Sequence, residues 1–212
     1  MTIKPILFNT EMVRAIMDGR KTCTRRVVKP TPKYFEVNEN PVYIYDAEPA
    51  MGRIYPPCQP EDVLYVRETW GEGYEEGTYI YKADDRLADL PTFKESSKRI
   101  YHPSIHMPKQ VARIWLKVTD VRVERLQEIT EEQACMEGTD PWDEACYENN
   151  GWHPTFSDPD SGGDPNMIDG FHKLWNSTIK KSDLDRYGWD ANPYVFVIEF
   201  VKIDKPEEIQ NA

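Results

Sequence analysis

The sequence predicts an α+β fold, a small mixed β-barrel decorated with helices. Two observations carry that expectation. Segments with period-two alternation dominate, and they do not alternate regularly with helical segments as a doubly wound parallel sheet requires. The 212 residues, 39% of them hydrophobic, suffice for a single domain with a full apolar core and long insertions, and leave no room for two enzymes.

Residues 3–8 read as a short strand and residues 10–18 as a helix, with Met12, Val13, Ile16 and Met17 at helical spacing and Gly19 placed to end it. The segment after Gly19 is expected to be a loop. Pro30, Pro32, Pro41, Pro49, Pro56, Pro57 and Pro60 punctuate the next stretch, so residues 30–60 are expected to be an insertion with little structure, holding at most an edge strand over 42–45. Residues 62–67 (DVLYVR) and 78–82 (TYIYK) alternate well enough for two strands, connected through Gly71, Gly73 and Gly77. A second polar insertion covers about 84–108.

The strongest strand signal is the alternation over 112–126 (ARIWLKVTDVRVERL), read as one long bent strand or two. Thr130 and Gln133 form the two ends of a capping box and Gly138 supplies a terminator, which defines a short helix holding Ala134 and Met136. A third insertion, 139–165, is rich in Asp, Gly, Pro and Asn and reads as a long loop. Met167, Phe171, Leu174 and Trp175 give an amphipathic helix to about Ile179, and residues 194–201 (YVFVIEFV) close the chain as a buried strand.

The net charge of −11 argues against a general nucleic-acid coat protein, which needs clustered cations. The average hides an asymmetry: between Arg14 and Lys33 there are seven basic residues and one acid, and between Glu128 and Asp169 twelve acids and no Lys or Arg. Cys23, Cys58, Cys135 and Cys146 are scattered without a C-x-x-C pair, the pattern of reduced thiols in a cytoplasmic protein. No stretch approaches a membrane span, and charges break the N-terminal segment before a signal-peptide core, so a soluble, unexported protein with no membrane partner is expected.

The chemistry concentrates in Gly19-Arg20-Lys21-Thr22-Cys23-Thr24-Arg25-Arg26, which puts three Arg, one Lys and two Thr into eight residues. Such a segment can hold an anion or activate a hydroxyl, though it lacks the spacing of a phosphate-binding P-loop. Together with EDVLYVRE, WLKVTDVRVERLQEITEEQACMEG and the terminal YVFVIEF, it resembles the ASCH family of small PUA-like β-barrels, and in particular longer ASCH proteins often carried by phages, to which PSIHMPKQVARIWLKVTDV is also similar. The resemblance spans about 110 residues distributed over the whole chain and leaves the insertions unexplained. One departure is Glu61, where a Gly is usual before Asp62.

A bacterial member of that family is an amidohydrolase that deacetylates N(4)-acetylcytidine. The resemblance implies that its catalytic Lys, Thr and Glu fall on Lys21, Thr24 and Glu137, with a nucleoside as substrate and no cofactor. Thr needs a base to become a nucleophile, and two assignments are open: Lys21 as base with Glu137 as proton shuttle, or Lys21 as a fixed cation on the oxyanion with Glu137 activating Thr24 or a water. Arg20, Arg26, Arg67, Glu68, Trp70, Ser104 and His106 are candidate substrate contacts, a nucleoside pocket wanting an aromatic plate and edge-reading polar groups.

Two other readings use the same residues: a PUA-like RNA-binding module whose loop grips a phosphate, and a metal-independent ribonuclease. No metal site is expected. Pro103 keeps His102 and His106 from forming a helical i, i+4 pair, and the spacing of Asp158, Asp160 and Asp164 departs from a calcium loop. Cys23 is expected to point away from Thr24 and the site, since neighbours in an extended segment face opposite ways.

Overall fold

The computed structural model describes residues 2–32, 35–46, 52–85, 101–139 and 167–206. It is a mixed α+β structure with several sheets and few helices. Its residues fall into two compact units, with boundaries at 19/20, 56/57, 120/121 and 198/199. All of the long tract 139–165 after its first residue, the run 158–164 within it, and residues 86–100 of the 84–108 insertion lie outside the described residues.

The first unit begins with β1 (Ile3–Leu7), which runs parallel to β6 (Val63–Arg67), Ile3 opposite Val63 and Leu7 opposite Arg67. The start of β9 (Trp115–Arg125) pairs antiparallel with β6, setting Tyr65 against Trp115. Between β1 and β6 in sequence lies α1 (Thr10–Met17), opened by Asn9, whose side chain accepts from the Met12 N–H at 2.8 Å. Val13, Ala15 and Ile16 give α1 its buried face. A small ribbon, β7 (Trp70–Glu72) against β8 (Tyr79–Tyr81), occupies what reads in sequence as a glycine connection and a single strand. Val63, Trp70, Met107, Val111, Ala112 and Trp115 form its core, so Met107, in the supposed polar insertion, is buried.

The second unit holds β2 (Cys23–Val27), the end of β9, the start of β10 (Tyr194–Ile203), and the helices α2 (Glu131–Met136), α3 (Met167–Thr178) and α4 (Leu184–Tyr187). Its strands are ordered β9-β10-β2. Leu126, Ile129, Ala134, Phe171, Trp175, Val195 and Val197 make the core, with α2 and α3 packed on one another.

Three expectations are corrected here. The segment after Gly19 is not all loop: β2 takes up Cys23–Val27, and its charged composition hides a strand whose first three residues are buried. Residues 30–60 contain a three-stranded antiparallel sheet, β3 (Phe35–Glu39), β4 (Val42–Asp46) and β5 (Arg53–Ile54). The strand expected at an edge, β4, is its centre, because Val42 and Ile44 turn inward with Ile54. The alternation over 112–126 resolves as one strand of 11 residues.

Glu61, the departure noted before Asp62, has φ +69°, the left-handed region that favours glycine. The carboxylate of Asp62 ties down the start of the chain. It accepts from the Thr2 N–H at 2.8 Å, the Thr2 hydroxyl at 2.7 Å and the Gln59 N–H at 3.0 Å, and pairs with Lys4 Nζ at 2.9 Å. Burial pushes its pKa up, but the bonds from Lys4, Thr2 and Gln59 win and hold it well below the usual carboxylate range. A depressed folded-state pKa contributes stability that is full above the unfolded value and fades as pH falls below it. Asp62→Ala should therefore cost about 2 kcal/mol in urea unfolding at neutral pH. The gap to the wild type should close progressively below about pH 4; a gap independent of pH would show that the Asp62 charge contributes nothing.

Candidate active site

Lys21 and Glu137 come together through the backbone first. The Thr22 N–H donates to the Met136 carbonyl at 2.8 Å, and residues 21 and 137 form an isolated antiparallel bridge. Glu137 caps the C-terminus of α2, its N–H bonded to the Gln133 and Ala134 carbonyls, and Gly138 at φ +78° turns the chain away. Helix α2 starts as the sequence predicts: the Gln133 N–H donates to Thr130 Oγ1 and the Thr130 N–H to Gln133 Oε1, both at 3.2 Å.

On this frame the Lys21 ammonium donates to Glu137 Oε2 at 2.6 Å and to the Glu137 main-chain carbonyl at 2.9 Å. The second bond satisfies a carbonyl that the end of a helix leaves without an intrahelical partner. Both side chains are buried, 0% and 3% exposed, so this is a desolvated ion pair. The other carboxylate oxygen, Oε1, accepts from Arg25 Nη1 at 3.2 Å. Arg25 is itself buried, and its Nη2 donates to Gln133 Oε1 at 2.8 Å and reaches Glu124 Oε2 at 3.4 Å. Its Nε has no hydrogen-bond partner among the described residues.

Of the three residues implied as catalytic, Lys21 and Glu137 are in direct contact. Thr24 is 1% exposed on β2 between Cys23 and Arg25, and the pleat sends its side chain to the opposite side of the strand from theirs. Cys23 does not point away from the charge cluster as expected. Its Sγ lies 3.8 Å from Arg25 Nη1 and 3.9 Å from the Gln133 carbonyl, because residues 23 and 25 share a face. Arg20 is exposed and donates to the Gly138 carbonyl at 3.1 Å, bracing the turn after Glu137; Arg26 is half-buried on β2.

The remaining candidate contacts belong to the first unit. Both oxygens of the buried Glu68 carboxylate accept from Arg113, at 2.9 and 3.0 Å, and Arg113 also forks onto Asp84 and lies 3.9 Å from the Tyr81 ring centroid. Burial pushes the Glu68 carboxyl up, and Arg113 opposes it. Arg67 donates to the Ile105 carbonyl, while its Nε and the indole Nε1 of Trp70 have no hydrogen-bond partner among the described residues. Trp70 is a core residue edged by His102 and Tyr79, and Ser104 and His106 bound a one-turn 3-10 segment, His106 exposed.

Sequence reasoning missed Arg25 and Arg113 as partners. The signal for Arg25 was available: Gln133 and Glu137 stand four residues apart on one face of a helical segment, an arrangement that invites a forked cation. Among the described residues no group of three or more His, Cys, Asp or Glu is placed to hold a metal ion, and no helix is long and apolar enough to cross a membrane. No family model, curated protein or solved structure matches the chain.

The charge arrangement makes an ordered prediction. Glu137→Gln deprives two buried cations of a carboxylate and should cost about 3 kcal/mol in urea unfolding. Lys21→Met leaves Glu137 paired to Arg25 and should cost less. The reverse order would show that Glu137 is not the hub of the cluster.

Proposed function

We propose that the chain is a PUA-like protein of the ASCH type, and an amidohydrolase that removes acyl groups from the exocyclic nitrogen of N(4)-acylated cytosine nucleosides, N(4)-acetylcytidine among them. The observation that carries this reading is the contact between Lys21 and Glu137. The two residues are 116 positions apart and are picked out separately by the motif correspondence, yet they share a buried 2.6 Å ion pair. The mixed α+β composition of strands and short helices also suits a PUA-like fold. Thr24 enters the reading through the G-R-K-T-x-T spacing alone, three residues after Lys21 and on the side of β2 opposite Arg25.

In this reaction the Thr24 hydroxyl oxygen attacks the acyl carbon, and its proton passes to the Lys21–Glu137 pair. The same proton goes on to the exocyclic nitrogen as the C–N bond breaks, releasing cytidine and leaving an ester on Thr24. Water then hydrolyses the ester to free acid and regenerates the hydroxyl. The leaving nitrogen is attached to an electron-poor heterocycle, so its departure is easier than that of a peptide amine. A buried cation beside the developing oxyanion acts in a low-dielectric setting, where its stabilisation is strongest.

The buried state of the cations weighs against an RNA-gripping role for this segment. A loop that holds a phosphate presents its charges to solvent, whereas Lys21 and Arg25 are withdrawn and committed to carboxylates. The ultraviolet spectrum of N(4)-acetylcytidine, followed over time with purified protein, tests the proposal, since deacylation changes the chromophore. The wild type should convert it, and Lys21→Ala and Thr24→Ala should each lose about 100-fold or more in kcat. No conversion of any simple acylated cytosine, or full activity in both variants, would overturn the reading.

A further inference from the structure

We propose that Arg25 is a positioning residue that holds Glu137 as the anionic proton acceptor of the site and so leaves Lys21 as its fixed cation. The inference rests on the amidohydrolase reading and decides between the two roles that the sequence left open for Lys21.

Glu137 has Lys21 on Oε2 and the Arg25 guanidinium on Oε1, all three side chains buried. For Lys21 to serve as the neutral base, its proton would have to rest on Glu137. That would set a neutral acid against a buried guanidinium that cannot itself give up a proton. The one carboxylate is therefore the shared partner of two buried cations, Lys21 on Oε2 and Arg25 on Oε1.

Arg25 is also oriented from behind. Its Nη2 donates to Gln133 Oε1, the same oxygen that receives the Thr130 N–H in the capping box of α2. The cap that starts the helix thus fixes the fork, and the fork fixes the carboxylate that ends it. Glu124 Oε2 lies 3.4 Å from the same Nη2 while its Oε1 accepts from Arg122 Nε at 2.5 Å, and the Arg25 guanidinium lies 5.7 Å from the Phe171 ring centroid, which limits its movement. A lysine at position 25 would keep the charge and lose the fork.

The test compares Arg25→Lys, Arg25→Ala and Gln133→Ala with the wild type on N(4)-acetylcytidine. Arg25→Ala and Arg25→Lys should lower kcat by about 100-fold with KM changed by less than about threefold. Guanidinium ion at millimolar concentration should restore part of the kcat of Arg25→Ala and leave Arg25→Lys unchanged. Gln133→Ala should lose about tenfold in kcat. Retention of wild-type kcat in Arg25→Lys, or a loss confined to KM, would overturn the positioning role while leaving the amidohydrolase reading intact.

A second measurement does not depend on turnover. The side-chain nitrogen resonance of Lys21, in lysine-labelled wild-type protein at neutral pH, should be that of an ammonium. An amine resonance would overturn the charge assignment. If the wild type turns over no acylcytosine, the amidohydrolase reading falls, and this resonance alone decides whether Arg25 and Glu137 hold Lys21 charged.

Discussion

Two cations withdrawn from water around one buried carboxylate set the terms for the second unit. Each buried ion costs several kcal/mol in lost hydration unless a partner stands in the right place, so Lys21, Glu137 and Arg25 are tolerable only together. That requirement reaches into the backbone. The residue 21–137 bridge, the left-handed Gly138 and the capping box of α2 each fix one end of the cluster. A change at any of these would leave a charge short of its partner, which makes the local fold and the chemistry of the site one problem.

The same logic appears in the first unit with a different outcome. Glu68 is as deeply buried as Glu137, and Arg113 takes both its oxygens in a fork. Arg113, however, remains a quarter exposed and shares itself with a half-exposed Asp84. Burial there pushes the Glu68 carboxyl up, so of the two carboxylates that flank β6 it is the easier to protonate, Asp62 being held down by four donors. An arginine fork uses up a carboxylate, whereas a lysine on one oxygen and an arginine on the other leave it polarised between two cations.

Much of this was legible in the sequence where local chemistry and burial agree. Helix α1 and helix α2 follow from spacing and caps, and β9 from plain alternation, because each has a water-facing side that differs from its buried side. β2 was not legible, since a buried Arg25 reads as a solvated charge unless its partners over a hundred residues away are known. The sheet β3-β4-β5 was hidden by prolines, which turn out to lie outside the strands they flank. The pairing of Lys21 with Glu137 was suggested by motif correspondence alone, because no periodicity links positions so far apart. Arg25 lies inside the basic segment, and the signal for its role, Gln133 and Glu137 four residues apart, lies over a hundred residues away.

A double-mutant cycle in urea unfolding measures directly whether Lys21 and Glu137 are energetically one unit. Lys21→Met, Glu137→Gln and the double variant should show a coupling of about 2 kcal/mol, the double variant being less destabilised than the sum of the singles. Additivity within about 0.5 kcal/mol would mean that the two charges do not depend on one another, and would contradict the buried pair at the centre of both the fold and the proposed chemistry.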